Sequence, residues 1–461
     1  MMKTERNSAR PRFVRPLGAK LALALLLGAA TVVGSASSAL AQAKNRVELQ
    51  WWHAMTGALN ERVNEIAEGF NKGQDKYKIV PVNKGSYPET LTAAMAAYRA
   101  GKGPHIVQVF EVGTGTMMAS RAAIKPVYEL MAQNGYKFDP GSYISSVTGY
   151  YSTSDGKMLS YPFNSSTPVM YYNKDAFQKA GLDPNKPPKT WQEFEPMLRK
   201  LKASGSTCPF QSNWQTWIQL ENFSALHNVP FATKSNGFDG FDTELKFNSP
   251  LHVRHITNLA GWMKDGLMVY GGRKNEANAK FVSGECAIHM ESSAGYATFA
   301  RGAKFKWGIS MLPYYSDVQG APQNSIIGGA SLWVLAKHKA DEYKGVAQFF
   351  DYLSSTENQV WWHKVTGYLP ITPMAYEATK TQGFYAANPG TDTSVQQMMM
   401  KAPTNNSKGL RLGNFVQIRD VMDEEMEAVW SGKKSPKEAL DTAVERGNRL
   451  LRQFERDAKR S

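Results

Sequence analysis

Between residues 47 and 111 the chain alternates strand and helix signals, and this alternation restricts the fold more than any other feature. Val47-Glu48-Leu49-Gln50-Trp51-Trp52 is a β-forming run, and residues 60–70 follow with apolar side chains at Val63, Ile66, Ala67 and Phe70, a helical stripe. A second strand pattern covers residues 77–82 and turns through Lys84-Gly85-Ser86-Tyr87. The next helix pattern, 89–100, is stopped by Gly101-Lys102-Gly103-Pro104. The apolar strand 105–110 then ends at Glu111. This order predicts the α/β class, with a parallel sheet covered by helices on both faces. Ligands of such sheets bind beyond the carboxyl ends of the strands, which is where Tyr87 and Glu111 fall.

The same alternation resumes further on, after a proline-marked connector. Pro162 and Pro168 bias residues 160–167 toward extended geometry. Within it, Ser165 and Ser166 are either ordinary loop residues or hydroxyls offered to a polar ligand. Residues 169–172 read as a strand and 175–180 as a helix closed by Gly181. Thr190-Trp191-Gln192-Glu193 is a capping box opening another helix. Strand patterns follow at 208–212, 281–290 and 306–312. Trp214 lies just past the first of these, as a core plug or a ligand platform, and Ser292 and Ser293 lie just past the second. Gly328-Gly329 precedes a strand at 332–335, residues 344–353 are helical, and Gly367-Tyr368-Leu369-Pro370 is a further extended connector. Helices at 418–429, bearing Arg419, and 436–454 complete the chain. Two α/β units joined by several connectors make an architecture that can open and shut about them.

Residues 1–43 have the form of an export signal. Six basic residues and one acid precede the apolar run 21–30, and Ala41-Gln42-Ala43 is a small-x-small cleavage pattern. The remaining 461 − 43 = 418 residues suffice for two substantial lobes. No cysteine lies near the cleavage pattern to carry a lipid anchor, and the product is expected outside the cytoplasm. Removing the signal's net +5 from the formal +14 leaves about +9, compatible with an anionic partner or with a merely basic surface, nucleic acid being the weaker reading. Cys208 and Cys286 are the only cysteines; an oxidising compartment permits a bridge between them, and sequence leaves it open.

The motifs of several enzyme classes are missing. The chain has no phosphate-binding P-loop, no G-x-G-x-x-G, no nucleophile elbow, no H-E-x-x-H, no C-x-x-C and no calcium loop. His252 and His255 share a helical face without a carboxylate or cysteine to complete a zinc site, and read as a surface pair. Neither a cofactor nor a metal is expected.

These segments resemble the periplasmic sn-glycerol-3-phosphate-binding proteins of ABC importers, within the extracytoplasmic solute-binding family that includes the maltose binder. The resemblance covers nearly all of the chain after residue 43. It is carried by Ile79-Val80-Pro81 through Tyr87, Gln108 through Thr114, Phe163 through Val169 and Trp214 through Phe223. Ile326 through Trp333, Thr366 through Thr372, and Gly409-Leu410-Arg411-Leu412-Gly413-Asn414 with Arg419 extend it.

The resemblance implies a two-lobed type II periplasmic-binding fold with ligand in the interlobe cleft. Lobe 1 is expected over 44–163 and 313–371, and lobe 2 over 164–312 and 372–461. It further implies a monomer that captures sn-glycerol 3-phosphate or a glycerophosphodiester and delivers it to membrane permease subunits served by a cytoplasmic ATPase. Tyr87 and Glu111 fall where the family holds the glycerol hydroxyls, Trp214 against the glycerol carbons, and Ser166, Ser292, Gly329, Tyr368 and Arg419 where it holds the phosphate. One departure stands out. His289-Met290-Glu291 precedes Ser292 where the family has smaller residues, and strand alternation predicts that Glu291 points away from the face of Ser292. The competing readings are a binder that prefers glycerophosphocholine, an exported phosphatase or phosphodiesterase using Ser166 or Ser292, and an oligosaccharide binder.

Overall fold

The computed structural model describes residues 46–459; the proposed export signal lies outside the described residues. Two five-stranded sheets organise the chain. The strands are β1 (Val47–His53), β2 (Tyr77–Asn83), β3 (Ile106–Phe110), β4 (Tyr161–Ser166), β5 (Pro168–Asn173), β6 (Cys208–Ser212), β7 (Met268–Tyr270), β8 (Cys286–Ser292), β9 (Trp307–Ser310) and β10 (Gly328–Val334). The first sheet has the order β2-β1-β3-β10-β4 and the second β7-β6-β8-β5-β9.

The opening alternation forms as its pattern predicts: β1 pairs in parallel with both β2 and β3. Helices Gly57–Gly73 and Tyr87–Arg99 connect them. Both sheets are mixed rather than purely parallel, because β10 enters antiparallel between β3 and β4, and β5 runs antiparallel between β8 and β9.

The segment 160–167 is a ladder strand rather than a free connector. β4 stays paired with β10 as far as Ser166, so the chain changes sheet at Thr167, three residues later than a boundary after Phe163. Pro162 has no N–H to give the ladder, and the register slips beside it, between Ala330 and Ser331. The glycine pair is likewise inside β10 rather than ahead of it.

The return to the second half also comes later than residue 372. Helix Pro373–Thr381 packs on helix Thr356–Thr366 of the first half, and Thr372 Oγ1 donates to Gln359 Oε1 at 2.6 Å. Gln397 then reaches the second sheet, donating to the Pro168 carbonyl at 2.7 Å. Helices Phe415–Trp430 and Pro436–Ala458 pack on each other and bury Phe415, Ile418, Leu440 and Leu451 in the core of the second half.

His252 and His255 are not on the surface. Helix Pro250–Lys264 turns both inward, where His255 stacks on Phe223 with centroids 4.1 Å apart. His252 is bonded to Ser249 and Ser224 at 2.7 and 2.8 Å, and His255 to Gln219 at 2.9 Å, so both imidazoles are satisfied core groups. Cys208 and Cys286 are joined by a disulfide across the neighbouring parallel strands β6 and β8.

Candidate functional site

Both sheets turn the carboxyl ends of their parallel strands toward one cavity of about 280 Å³. All eight sequence-predicted residues line it: Tyr87, Glu111, Ser166, Trp214, Ser292, Gly329, Tyr368 and Arg419. The strand alternation alone places only the first two; the others arrive from β4, the turn after β6, β8, β10, a connector and a late helix.

Tyr87 occupies the first turn of its helix, held by a capping box in which the Ser86 N–H donates to Glu89 Oε2 at 2.6 Å. Its ring stacks on Phe110, 5.2 Å between centroids, and its hydroxyl accepts the Asn164 side-chain amide at 3.1 Å. Asn164 in turn accepts from Gln108 at 2.9 Å, and Gln108 accepts the Ala54 N–H at 2.9 Å. This buried polar chain fixes the floor of the cavity on the first half.

Gly329 has φ +82°, and a Cβ there would stand 1.9 Å from the Asn164 carbonyl oxygen. Only glycine lets β10 approach β4 this closely; Gly329 stands opposite Ser165, next to the Gly328–Ser166 pair at the cavity wall. Tyr368 follows Gly367, itself at φ +80°, which caps helix Thr356–Thr366 by donating its N–H to the His363 carbonyl at 2.8 Å. The Tyr368 ring lies parallel to Trp362, and burial pushes its phenol up to about 12. Both Tyr87 and Tyr368 are therefore neutral hydroxyl donors at physiological pH.

From the second half, Trp214 stands in the left-handed region at φ +44°, a strained conformation for a bulky residue, and one that concentrates at functional sites. A single turn of π-helix, Trp217–Asn222, follows it. That turn supplies Glu221, which lies outside the predicted set although its segment is among those quoted for the resemblance. Arg419 donates Nε and one terminal nitrogen to Glu221 at 2.9 and 2.7 Å, and bonds Glu111 of the other half at 2.7 Å.

Glu111 and Arg419, expected to serve opposite ends of a ligand, thus touch each other. The cause is burial: Glu111 is 5 % exposed and needs a counter-charge. Burial opposes the charge on Arg419, but Glu221 and Glu111 outweigh it and hold the guanidinium ionised. Burial pushes the Glu111 carboxyl up, with Arg419 pulling against it.

Glu291 differs from its expectation. It lines the cavity beside Ser292 instead of facing away, because β8 ends there and the chain turns at Ser293–Gly295. Ser166 and Ser292 have no histidine partner among the described hydrogen bonds, and Ser292 Oγ accepts the Ala294 N–H at 3.2 Å. Elsewhere, the ring nitrogens of His105 and His338 and a carboxylate oxygen of Glu342 converge within 4.8 Å. His105 Nδ1 already accepts the Gln50 N–H at 3.0 Å, which leaves the proton on the Nε2 that would face a metal. Among the described residues no helix is long and apolar enough to cross a membrane.

Residues 65–393 match the family model described as bacterial extracellular solute-binding protein. The chain is 54 % identical over 437 residues to the sn-glycerol-3-phosphate-binding periplasmic protein UgpB of Pectobacterium atrosepticum, covering 95 % of this chain and 98 % of the relative. It is 54 % identical over 412 residues to the protein of that name from Escherichia coli strain K12, covering 89 % and 94 %. Among solved structures it is similar to UgpB from Mycobacterium tuberculosis in complex with glycerophosphocholine, with TM-score 0.74, 19 % identity, and 88 % and 98 % of the two chains covered. The cyclic alpha-maltosyl-1,6-maltose binding protein from Arthrobacter globiformis gives TM-score 0.70 and 21 % identity, covering 88 % and 100 %. The fold is the two-lobed, type II periplasmic-binding fold.

Proposed function

Because the chain belongs to the family of bacterial extracellular solute-binding proteins, we propose that its cavity takes sn-glycerol 3-phosphate and glycerophosphodiesters. The protein is a periplasmic binding subunit and not an enzyme, and it delivers its ligand as a monomer to the permease of an ABC importer. The observation that carries this reading is the convergence of seven polar and aromatic residues and the Gly329 backbone, from both halves, on one cavity.

In this reading Ser166, Ser292, the Gly329 amide, Tyr368 and Arg419 hold the phosphate. Tyr87 and Glu111 take the glycerol hydroxyls, and Trp214 lies against the carbons. Phosphate oxygens are strong acceptors, and charge-assisted bonds contribute roughly 1.5–3 kcal/mol each. Four of them approach or exceed the ~8 kcal/mol of micromolar binding, and any surplus offsets lost ligand freedom. The arriving phosphate competes with Glu111 for Arg419, which frees that carboxylate to accept alcohol protons. The two halves act as lobes that close because the ligand touches both only in the closed arrangement.

Calorimetric titration of the purified protein with glycerol 3-phosphate tests the reading. Binding at micromolar or tighter affinity is expected. Arg419→Lys keeps a cation between Glu111 and Glu221 but removes the planar fork, so affinity drops at least tenfold while the melting temperature stays near wild type. Absence of binding of glycerol 3-phosphate and of glycerophosphodiesters alike, or phosphate release by the pure protein, overturns it.

A further inference from the structure

The cavity wall holds one ionisable group that these roles leave unused. Glu291 ends β8 with a carboxyl folded back on its own strand: Oε1 accepts the backbone N–H of Ser292 at 2.6 Å, and Oε2 accepts the side-chain amide of Asn213. Gly295 makes the room, since a Cβ there would stand 2.8 Å from Glu291 Cγ. An amide that a phosphate oxygen can use is therefore already taken by a carboxylate.

The groups facing Glu291 do not neutralise it. His289 on the same strand is 4.0 Å away, but burial lowers its pKa to about 3 and leaves it uncharged. Tyr171 from β5 and Tyr368 from the connector are kept as neutral phenols by burial. Asn213, Trp214 and Asn278 are hydrogen-bonding neighbours without charge. Arg419, on the helix across the cavity, is held between Glu221 and Glu111. Among the described residues no lysine or arginine pairs with Glu291, and burial pushes its carboxyl up to about 7 despite the bonds it accepts.

Resting on the proposed function, we infer that Glu291 is a specificity-determining residue. Its carboxylate beside Ser292 makes the site discriminate by phosphate charge, favouring singly charged phosphodiesters over the dianion of a phosphomonoester. A phosphomonoester carries a charge of about −1.5 to −2 near neutrality, with a second pKa of roughly 6, whereas a diester carries one charge throughout. Buried like charges repel strongly. The monoester therefore binds well only when a proton sits on Glu291 or on the phosphate, and that proton becomes scarce as pH rises.

The test is calorimetry of the full protein at pH 6 and pH 8.5 with glycerol 3-phosphate, glycerophosphoglycerol and glycerophosphocholine. In the wild type the diester-to-monoester affinity ratio is expected to rise at least tenfold from pH 6 to pH 8.5, for both diesters. Glu291→Gln keeps an acceptor for Ser292 and is expected to lower that ratio at least tenfold at pH 8.5 by strengthening monoester binding. Glu291→Ala gives the same direction if the glutamine variant folds poorly. A ratio that either variant leaves unchanged, or that does not vary with pH in the wild type, overturns the inference alone. Failure of all three ligands to bind overturns the functional reading with it.

Discussion

Single side chains here are constrained by what surrounds them more than by their own propensities. Gly329→Ala places a methyl against the Asn164 carbonyl in a backbone conformation suited to glycine, and is expected to cost about 2–4 kcal/mol in urea unfolding. Asp423 gives a pH prediction. Burial pushes its pKa to about 7 from an ordinary 3.8, with the Gln215 amide at 2.9 Å only partly offsetting this. Between those two values the folded state binds more protons than the unfolded chain, so the stability contributed by this group falls as pH rises from about 4 through 7. Asp423→Asn, which keeps an acceptor for Gln215, is expected to raise the melting temperature at pH 8 and leave it unchanged at pH 4.

Elements divide by how locally they are encoded. The first three strands, the Thr190 capping box and the last two helices are written in hydrophobic period and capping chemistry, which act within a few residues, and sequence placed them to within a few positions. The burial of His252 and His255 was not legible, because it depends on Phe223 and Gln219 from another segment. Nor was the orientation of Glu291, which follows from the end of β8, the turn after it and the bond from Asn213 just past a neighbouring strand, rather than from alternation along its own. Glu221 was hidden for a similar reason: a π-turn that aims it at Arg419 has no simple periodic signature. The predicted residues that line the cavity were reached mostly through family resemblance, since distant segments meet there. The disulfide between β6 and β8 closes a sequence separation of 78 residues. Replacing both cysteines by serine is expected to lower stability by about 4 kcal/mol in denaturant titration. Ligand affinity is expected to stay within twofold, because the bridge joins the starts of strands whose far ends carry Trp214 and Ser292.

At the scale of the molecule, the proposed closure is expected to be a rotation of two preformed bodies, since the chain crosses directly at Thr167 and Arg419 bonds residues of both halves. Glycerol 3-phosphate is expected to reduce the radius of gyration measured by small-angle X-ray scattering and to slow amide exchange on both sides of the cavity. An unchanged scattering curve at saturating ligand would contradict closure. At about one hundred times the dissociation constant, the ligand adds roughly 2.7 kcal/mol of stability.

The insertion of β10 between β3 and β4 has a temporal meaning. The amino-terminal half lacks a middle strand until residues 328–334 arrive, and until then β3 and β4 have no common neighbour. A chain emerging from a ribosome or a translocation pore therefore cannot finish its first body before most of its second has appeared. Premature folding is suppressed by the strand order itself, and a fragment ending at residue 320 is expected to remain without cooperative unfolding in a calorimetric scan, whereas the full chain regains it.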